Sequence, residues 1–174
     1  MALQSFNHII ATLSQECPNK VAIICGDESI TYQTLDRQSN RLARAYQQQG
    51  VKAQDLVTFG LPNGIEFFTV CFALWKLGAT PQPVSYSLPK KELEAIVSLT
   101  KSPIVIGIDQ AVLSKYRVIA AGYQPEATIS DAPLEEVTAN HWKAPTSGGS
   151  TGRPKIIVSG KPACIDPRED SLAR

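Results

Sequence analysis

The chain has 174 residues, 43% hydrophobic and 19% charged, with a formal net charge of +1. That length suits one domain with a real core, burying roughly 70% of its unfolded surface, and the composition excludes disorder. A charge this near zero gives no broad attraction to nucleic acid or to an anionic membrane surface.

Cys17, Cys25, Cys71 and Cys164 are scattered with no C-x-x-C pair, and His8 and His141 lie far apart in the chain. Neither a metal site nor a disulfide framework can be read from that spacing, so reduced cysteines in a cytoplasmic protein are expected. The N-terminus lacks a basic leader followed by a continuous apolar stretch, and no secretory signal is expected.

Over residues 5–16, Phe6, Ile9, Ile10 and Leu13 recur at helical spacing until Pro18 stops the segment. Residues 21–25 read as a short apolar strand, and Gly26-Asp27 turns the chain into residues 29–31. Thr31 is placed to cap a long helix with Tyr32, Leu35, Leu42 and Tyr46 on one face and Gly50 at its end. Arg37, Asn40, Arg41 and Arg44 fall on its polar side and read as a solvated face. Residues 56–60 predict a second strand, and Asn63 with Glu66 a cap pairing for the following helix. That helix, residues 65–77, is apolar all round, which predicts burial, yet it is too short to span a bilayer.

Gly78 closes the helix, and Thr80-Pro81-Gln82-Pro83-Val84 is an extended stretch whose prolines suit a sheet edge. Ser87 and Pro89 open a helix with Leu93, Ile96 and Val97 on one face. Residues 104–108 are of the buried strand type, and 118–120 form a weaker strand candidate. Residues 124–140 are polar, acidic and irregular, and suit a surface connection. Strands alternating with helices predict an α/β fold with a largely parallel sheet and right-handed crossovers.

The connection leads to Pro145-Thr146-Ser147-Gly148-Gly149-Ser150-Thr151-Gly152-Arg153-Pro154-Lys155, which has no large apolar side chain. Glycines allow close backbone approach to a ligand, and successive N–H groups can curl into an anion-holding nest. Ser150 and Thr151 add donors, and Lys155 a mobile positive charge suited to phosphate. A Gly/Ser linker is the plainer reading, but the β-branched run Ile156-Ile157-Val158 that follows argues for a phosphate-gripping loop between two strands.

Two rival motifs fail. A Walker-type loop needs Gly before the Lys, Ser or Thr after it, and then a helix; here Pro154 and Ile156 flank Lys155. Gly148-Gly149-Ser150-Thr151-Gly152 matches the nucleophile elbow G-x-S-x-G. That elbow requires a following helix and a His later in the chain, whereas both histidines precede Ser150.

What remains resembles the phosphate loop of the adenylate-forming enzymes, a family of acyl- and aryl-CoA synthetases, peptide-synthetase adenylation domains and luciferases. Ser150 to Lys155 fits its T-S-G-T-T-G-x-P-K pattern well; Ser147 and Gly148 stand in the places of Thr and Ser, and Ile156 in that of Gly. Ile30-Thr31-Tyr32-Gln33-Thr34-Leu35 is similar to the family's L-T-Y-x-E-L, with Thr34 replacing the acid. Leu77-Gly78-Ala79-Thr80-Pro81-Gln82-Pro83 is similar to K-A-G-A-x-x-x-P. The three occur in the family's order, and the first two are packing and turn signatures without chemistry.

The resemblance implies that ATP and a carboxylic acid give an acyl-adenylate and pyrophosphate, after which the acyl group passes to a thiol, commonly that of coenzyme A. Ser147, Gly148, Gly149, Ser150, Thr151, Gly152 and Lys155 would hold the nucleotide phosphates, with Mg²⁺ arriving on ATP and no residue here assignable as its ligand. Residues 1–174 would then be the N-terminal segment of the large AMP-binding domain, with the phosphate loop at 146–155. In the family, the base and ribose contacts, most of the acyl pocket and a C-terminal domain lie beyond that loop. The expectation is therefore a fragment of an acyl-CoA synthetase for a fatty, steroid-like or aromatic acid, inactive alone and self-associating through surfaces the later chain would cover. Two alternatives remain: a stand-alone nucleotide- or phosphate-binding module, and an interaction domain without ligand binding.

Overall fold

A computed structural model describes residues 3–147 and 154–166. The chain opens with β1 (Gln4–Ser5) and α1 (Phe6–Glu16), and Ser5 caps the helix by accepting the His8 N–H at 3.0 Å. An antiparallel pair follows, β2 (Val21–Cys25) with β3 (Glu28–Thr31), joined by a turn in which Gly26 takes φ +60°. Thr31 then caps α2 (Tyr32–Gln48) through the Thr34 N–H at 3.2 Å, as its hydroxyl and position predict. Next come β4 (Leu56–Phe59), α3 (Ile65–Lys76), β5 (Thr80–Pro83), α4 (Lys90–Thr100), β6 (Val105–Ile106) and β7 (Val118–Ile119).

β4 to β7 form one parallel sheet in the order β5-β4-β6-β7, which is the α/β architecture expected. Both faces are covered, and strand alternation assigns the residues to them. Val57, Phe59, Ile104 and Ile106 pack with Leu42, Tyr46, Val70 and Leu74 of α2 and α3. Val105 turns the other way, to Leu93 and Val97 of α4. On that second face Thr58 is buried because its hydroxyl meets Thr100 Oγ1 at 3.2 Å and its N–H donates to Ser102 at 2.9 Å.

The proline-rich strand β5 lies at the sheet's edge, for a reason its hydrogen bonds make plain. The N–H groups of Thr80 and Val84 point inward, to the Asp55 and Phe59 carbonyls at 2.8 and 2.9 Å. Pro81 and Pro83 alternate with them, so the missing donors face outward.

Three expectations need correction. Asn63 does not cap α3: Gly64 is the cap, with no side-chain bond, and Glu66 instead accepts the Gly122 N–H at 2.6 Å. Nor is α3 buried all round, since Phe68 is 43% exposed. The basic face of α2 is not simply solvated. Arg37 and Arg41 hold Asp131 at 2.8 and 3.2 Å, Arg41 also donates to the Ile129 carbonyl, and Arg44 to those of Ser130, Ala132 and Pro133. An irregular strap, residues 129–133, offers unpaired carbonyls, and long guanidinium side chains satisfy them.

Candidate nucleotide phosphate site

The segment before the glycine-rich loop and the segment after it form an antiparallel stem. Its regular part is β8 (Thr146–Ser147) with β9 (Lys155–Ile156), in which Thr146 faces Ile156 and Ser147 faces Lys155. The pairing continues below. The Ile157 N–H donates to Pro145 at 2.8 Å, Ser159 to Lys143 at 3.0 Å, Trp142 to Lys161 at 3.1 Å and Ala163 to Ala139 at 3.0 Å. His141 Nδ1–H donates to the Ser159 carbonyl at 2.6 Å and stiffens the same stretch.

Three anchors fasten the stem. At its foot, β10 (Cys164–Ile165) pairs with β1, and the Phe6 N–H donates to the Ala163 carbonyl at 3.0 Å. Midway, Trp75 of α3 donates its indole N–H to the Trp142 carbonyl at 2.9 Å. Near the top, the Ala144 N–H donates to Pro81 at 2.9 Å and Gln82 Nε2 to Thr146 Oγ1 at 3.1 Å. Along β5 and along the stem these partners run in the same direction. The loop therefore leaves the stem beside the carboxyl end of β5. In open α/β sheets that is the end at which ligands bind, and the order β5-β4-β6 is a switch of the flavodoxin kind.

Of the residues expected at the site, the structure thus brings Ser147 and Lys155 opposite one another, with Ser147 half-buried and Lys155 exposed. Gly148, Gly149, Ser150, Thr151 and Gly152 lie outside the described residues. Among the described residues no three His, Cys, Asp or Glu side chains converge as a metal site.

The AMP-binding enzyme family matches residues 11–163. The chain belongs to that family. It is 30% identical to 2,3-dihydroxybenzoate-AMP ligase of Bacillus subtilis, over 88% of this chain and 33% of that protein. It is 26% identical to tyrocidine synthase 1 of Brevibacillus parabrevis, over 87% of this chain and 15% of that one. In fold it matches the Mycobacterium tuberculosis fatty acyl CoA synthetase with a TM-score of 0.76 at 21% identity, over 89% of this chain and 34% of the other. The chain thus spans about a third or less of each of these three proteins.

Within this family member the motif around Thr31 caps α2 and the motif around Gly78 closes α3 with φ +69°; both serve packing. Two residues at the site carry no motif signal. Gln82, wholly buried, and Trp75 reach the stem across 64 and 67 positions of sequence. A glutamine between two prolines is the one local hint, since an apolar edge strand has little use for an amide.

The core behind the site is fixed by a buried ion pair. Lys76 Nζ of α3 donates to Asp36 Oδ1 at 2.5 Å and to Asn40 Oδ1 at 2.7 Å, both on α2. Burial holds the Lys76 ammonium below its ordinary range, and the Asp36 hydrogen bond and charge oppose that. Cys71, pushed up to about 12 by burial, is an unreactive packing thiol.

Proposed function

We propose that this chain supplies the phosphate-gripping N-terminal segment of an enzyme that joins a carboxylic acid to AMP, using ATP. The single observation that supports the reading is an anchored stem, with Ser147 opposite Lys155, at the carboxyl end of a parallel sheet in a chain that the AMP-binding enzyme family matches. In the reaction a carboxylate oxygen attacks the α-phosphorus, the bond to the β-phosphate oxygen breaks, and pyrophosphate leaves. Negative charge shifts towards the β- and γ-phosphates as that bond breaks. Backbone N–H groups of Gly148, Gly149 and Gly152, hydroxyls of Ser147, Ser150 and Thr151, and the Lys155 ammonium would hold those oxygens and stabilise the charge that develops on them. Magnesium, entering with ATP, adds charge neutralisation; none of the described residues is assigned to it.

An aromatic acid is the substrate class favoured, on the strength of the dihydroxybenzoate-AMP ligase relative. Fatty acids have the weaker support of a likeness in fold. Transfer to the thiol of coenzyme A rests on the sequence resemblance alone and is the later, separable step.

The test is ATP–pyrophosphate exchange by the complete enzyme of which this chain would form a segment. Lys155→Ala should slow exchange by about 10²-fold, the usual loss for one preorganised group at a developing charge, with little change in acid affinity. Exchange near the parental rate would refute the assignment. The 174-residue chain alone should form no acyl-adenylate.

A further inference from the structure

Gln82 is 0% exposed, yet among the described residues its side chain makes a single hydrogen bond, from Nε2 to Thr146 Oγ1 at 3.1 Å, and its carbonyl oxygen has no partner there. Thr80, two residues earlier and so on the same face of β5, also buries an unpartnered hydroxyl oxygen. Buried polar groups normally find their full complement of partners, and an apolar side chain of similar volume would fill this place at less cost. The amide is therefore explained by what it holds. Its partner Thr146 directly precedes Ser147, where the loop begins.

The backbone cannot do this holding by itself. Pro81 and Pro83 have no N–H, so the outer edge of β5 offers acceptors only, and the seam is closed by the one bond from Ala144 to the Pro81 carbonyl. That bond fixes the stem two residues below Thr146. Without a second contact the top of the stem could twist about it, taking the Ser147–Lys155 pair and the loop with it. Gln82 supplies the second contact from a fully packed position, where its own rotamer has little freedom.

We propose that Gln82 is a positioning residue for nucleotide binding, acting through its hydrogen bond to Thr146 to set the Ser147–Lys155 pair against the sheet edge. The inference rests on the adenylating reading given above. It assigns ATP binding, and not the acid, as the step Gln82 governs.

The test is a double-mutant cycle in ATP–pyrophosphate exchange with the complete enzyme. Gln82→Leu, or Gln82→Met as the closer match in shape, should raise the KM for ATP about tenfold while the KM for the acid stays within twofold. Thr146→Val should do the same, the double variant should lose no more than either alone, and Thr146→Ser, which keeps the hydroxyl, should behave as the parent. An unchanged ATP KM in both Gln82 variants, or losses that simply add, overturns the proposal. If the parental enzyme exchanges pyrophosphate with no carboxylic acid, the functional reading fails on its own account. The positioning claim is then read from the backbone amide NMR signals of Ser147 and Lys155 in the 174-residue chain. They must shift in Gln82→Leu and Thr146→Val and stay put in Thr146→Ser; signals that do not move overturn it.

Discussion

Asp36→Asn tests how the frame beneath the site is held. Lys76 and Asp36 are 7% and 8% exposed and lie 2.5 Å apart, one on α3 and the other on α2. At that distance and an effective dielectric of about 20 the gross attraction is about 6–7 kcal/mol, set against several kcal/mol for desolvating each ion. The net worth of the pair is therefore small, but removing one partner strands the other charge. Such a loss costs about 3–5 kcal/mol, and Asn40, which still accepts from the ammonium at 2.7 Å, puts the expected value near 3 kcal/mol. For a domain of this size that is a fall of about 6–12 °C in melting temperature.

The same variant has a pH signature of definite sign. Without the carboxylate's charge and hydrogen bond, only the Asn40 contact opposes the burial that lowers the Lys76 pKa from the ordinary 10.5. Between the folded and unfolded pKa values the unfolded chain binds more protons, so stability rises with pH through that window and is lost as pH falls. Urea midpoints at pH 7 and pH 10 should converge on those of the parent at the higher pH. Asp36→Leu with Lys76→Met should recover most of the loss. A single variant within about 1 kcal/mol of the parent, or a double variant no better than the single, would refute the reasoning.

Three further outcomes are expected. Asp131, which the Arg37 hydrogen bond holds below the ordinary carboxyl range of 3.8, stabilises the strap above that pH and loses its hold as pH falls through the lowered value. Limited proteolysis should therefore cut residues 126–133 faster below about pH 4, and Asp131→Asn should do the same at neutral pH. Gly78→Ala should destabilise by about 2 kcal/mol or more in urea, because φ is +69° and the new Cβ would meet Val137 Cγ1 at 2.7 Å. The 174-residue chain should self-associate, since Ile157 and Val158 beside β9 are 55% and 43% exposed; a monomer by light scattering at micromolar concentration would count against it.

Much of the frame was legible because local signals and tertiary packing agree. Ser5 and Thr31 cap where their hydroxyls suggest, Gly78 turns where its backbone freedom is needed, and the prolines of β5 mark an edge. Two of the readings that failed, the Asn63–Glu66 cap and the solvated face of α2, share one cause, a polar group whose partner is distant in sequence. Glu66 caps nothing in its own helix because Gly122 claims it across 56 positions. The arginines of α2 looked solvated because the carbonyls they satisfy lie 86–89 positions further on, and the Asp131 carboxylate 90–94. Lys101 ends α4 with φ +51° where no glycine announced a stop.

The candidate site divides in the same way, and the division has a physical basis. A loop of glycines and small hydroxyl residues is easy to recognise because its chemistry is carried by backbone N–H groups, which need few side chains and tolerate little variety. Glycines and small hydroxyl residues have little apolar surface to bury, so such a loop depends on its surroundings for position. Whatever accuracy the loop has must come from the stem, and the stem's anchors are long-range: Phe6 to Ala163, Trp75 to Trp142, Gln82 to Thr146. Each anchor ties the stem to a different element, α1, α3 and the edge strand β5. A phosphate loop built this way takes its geometry from the whole α/β frame. Disturbing the frame at Gln82, a variable position of a packing motif and 64 residues from its partner in the stem, should therefore weaken ATP binding while the loop's own residues remain intact.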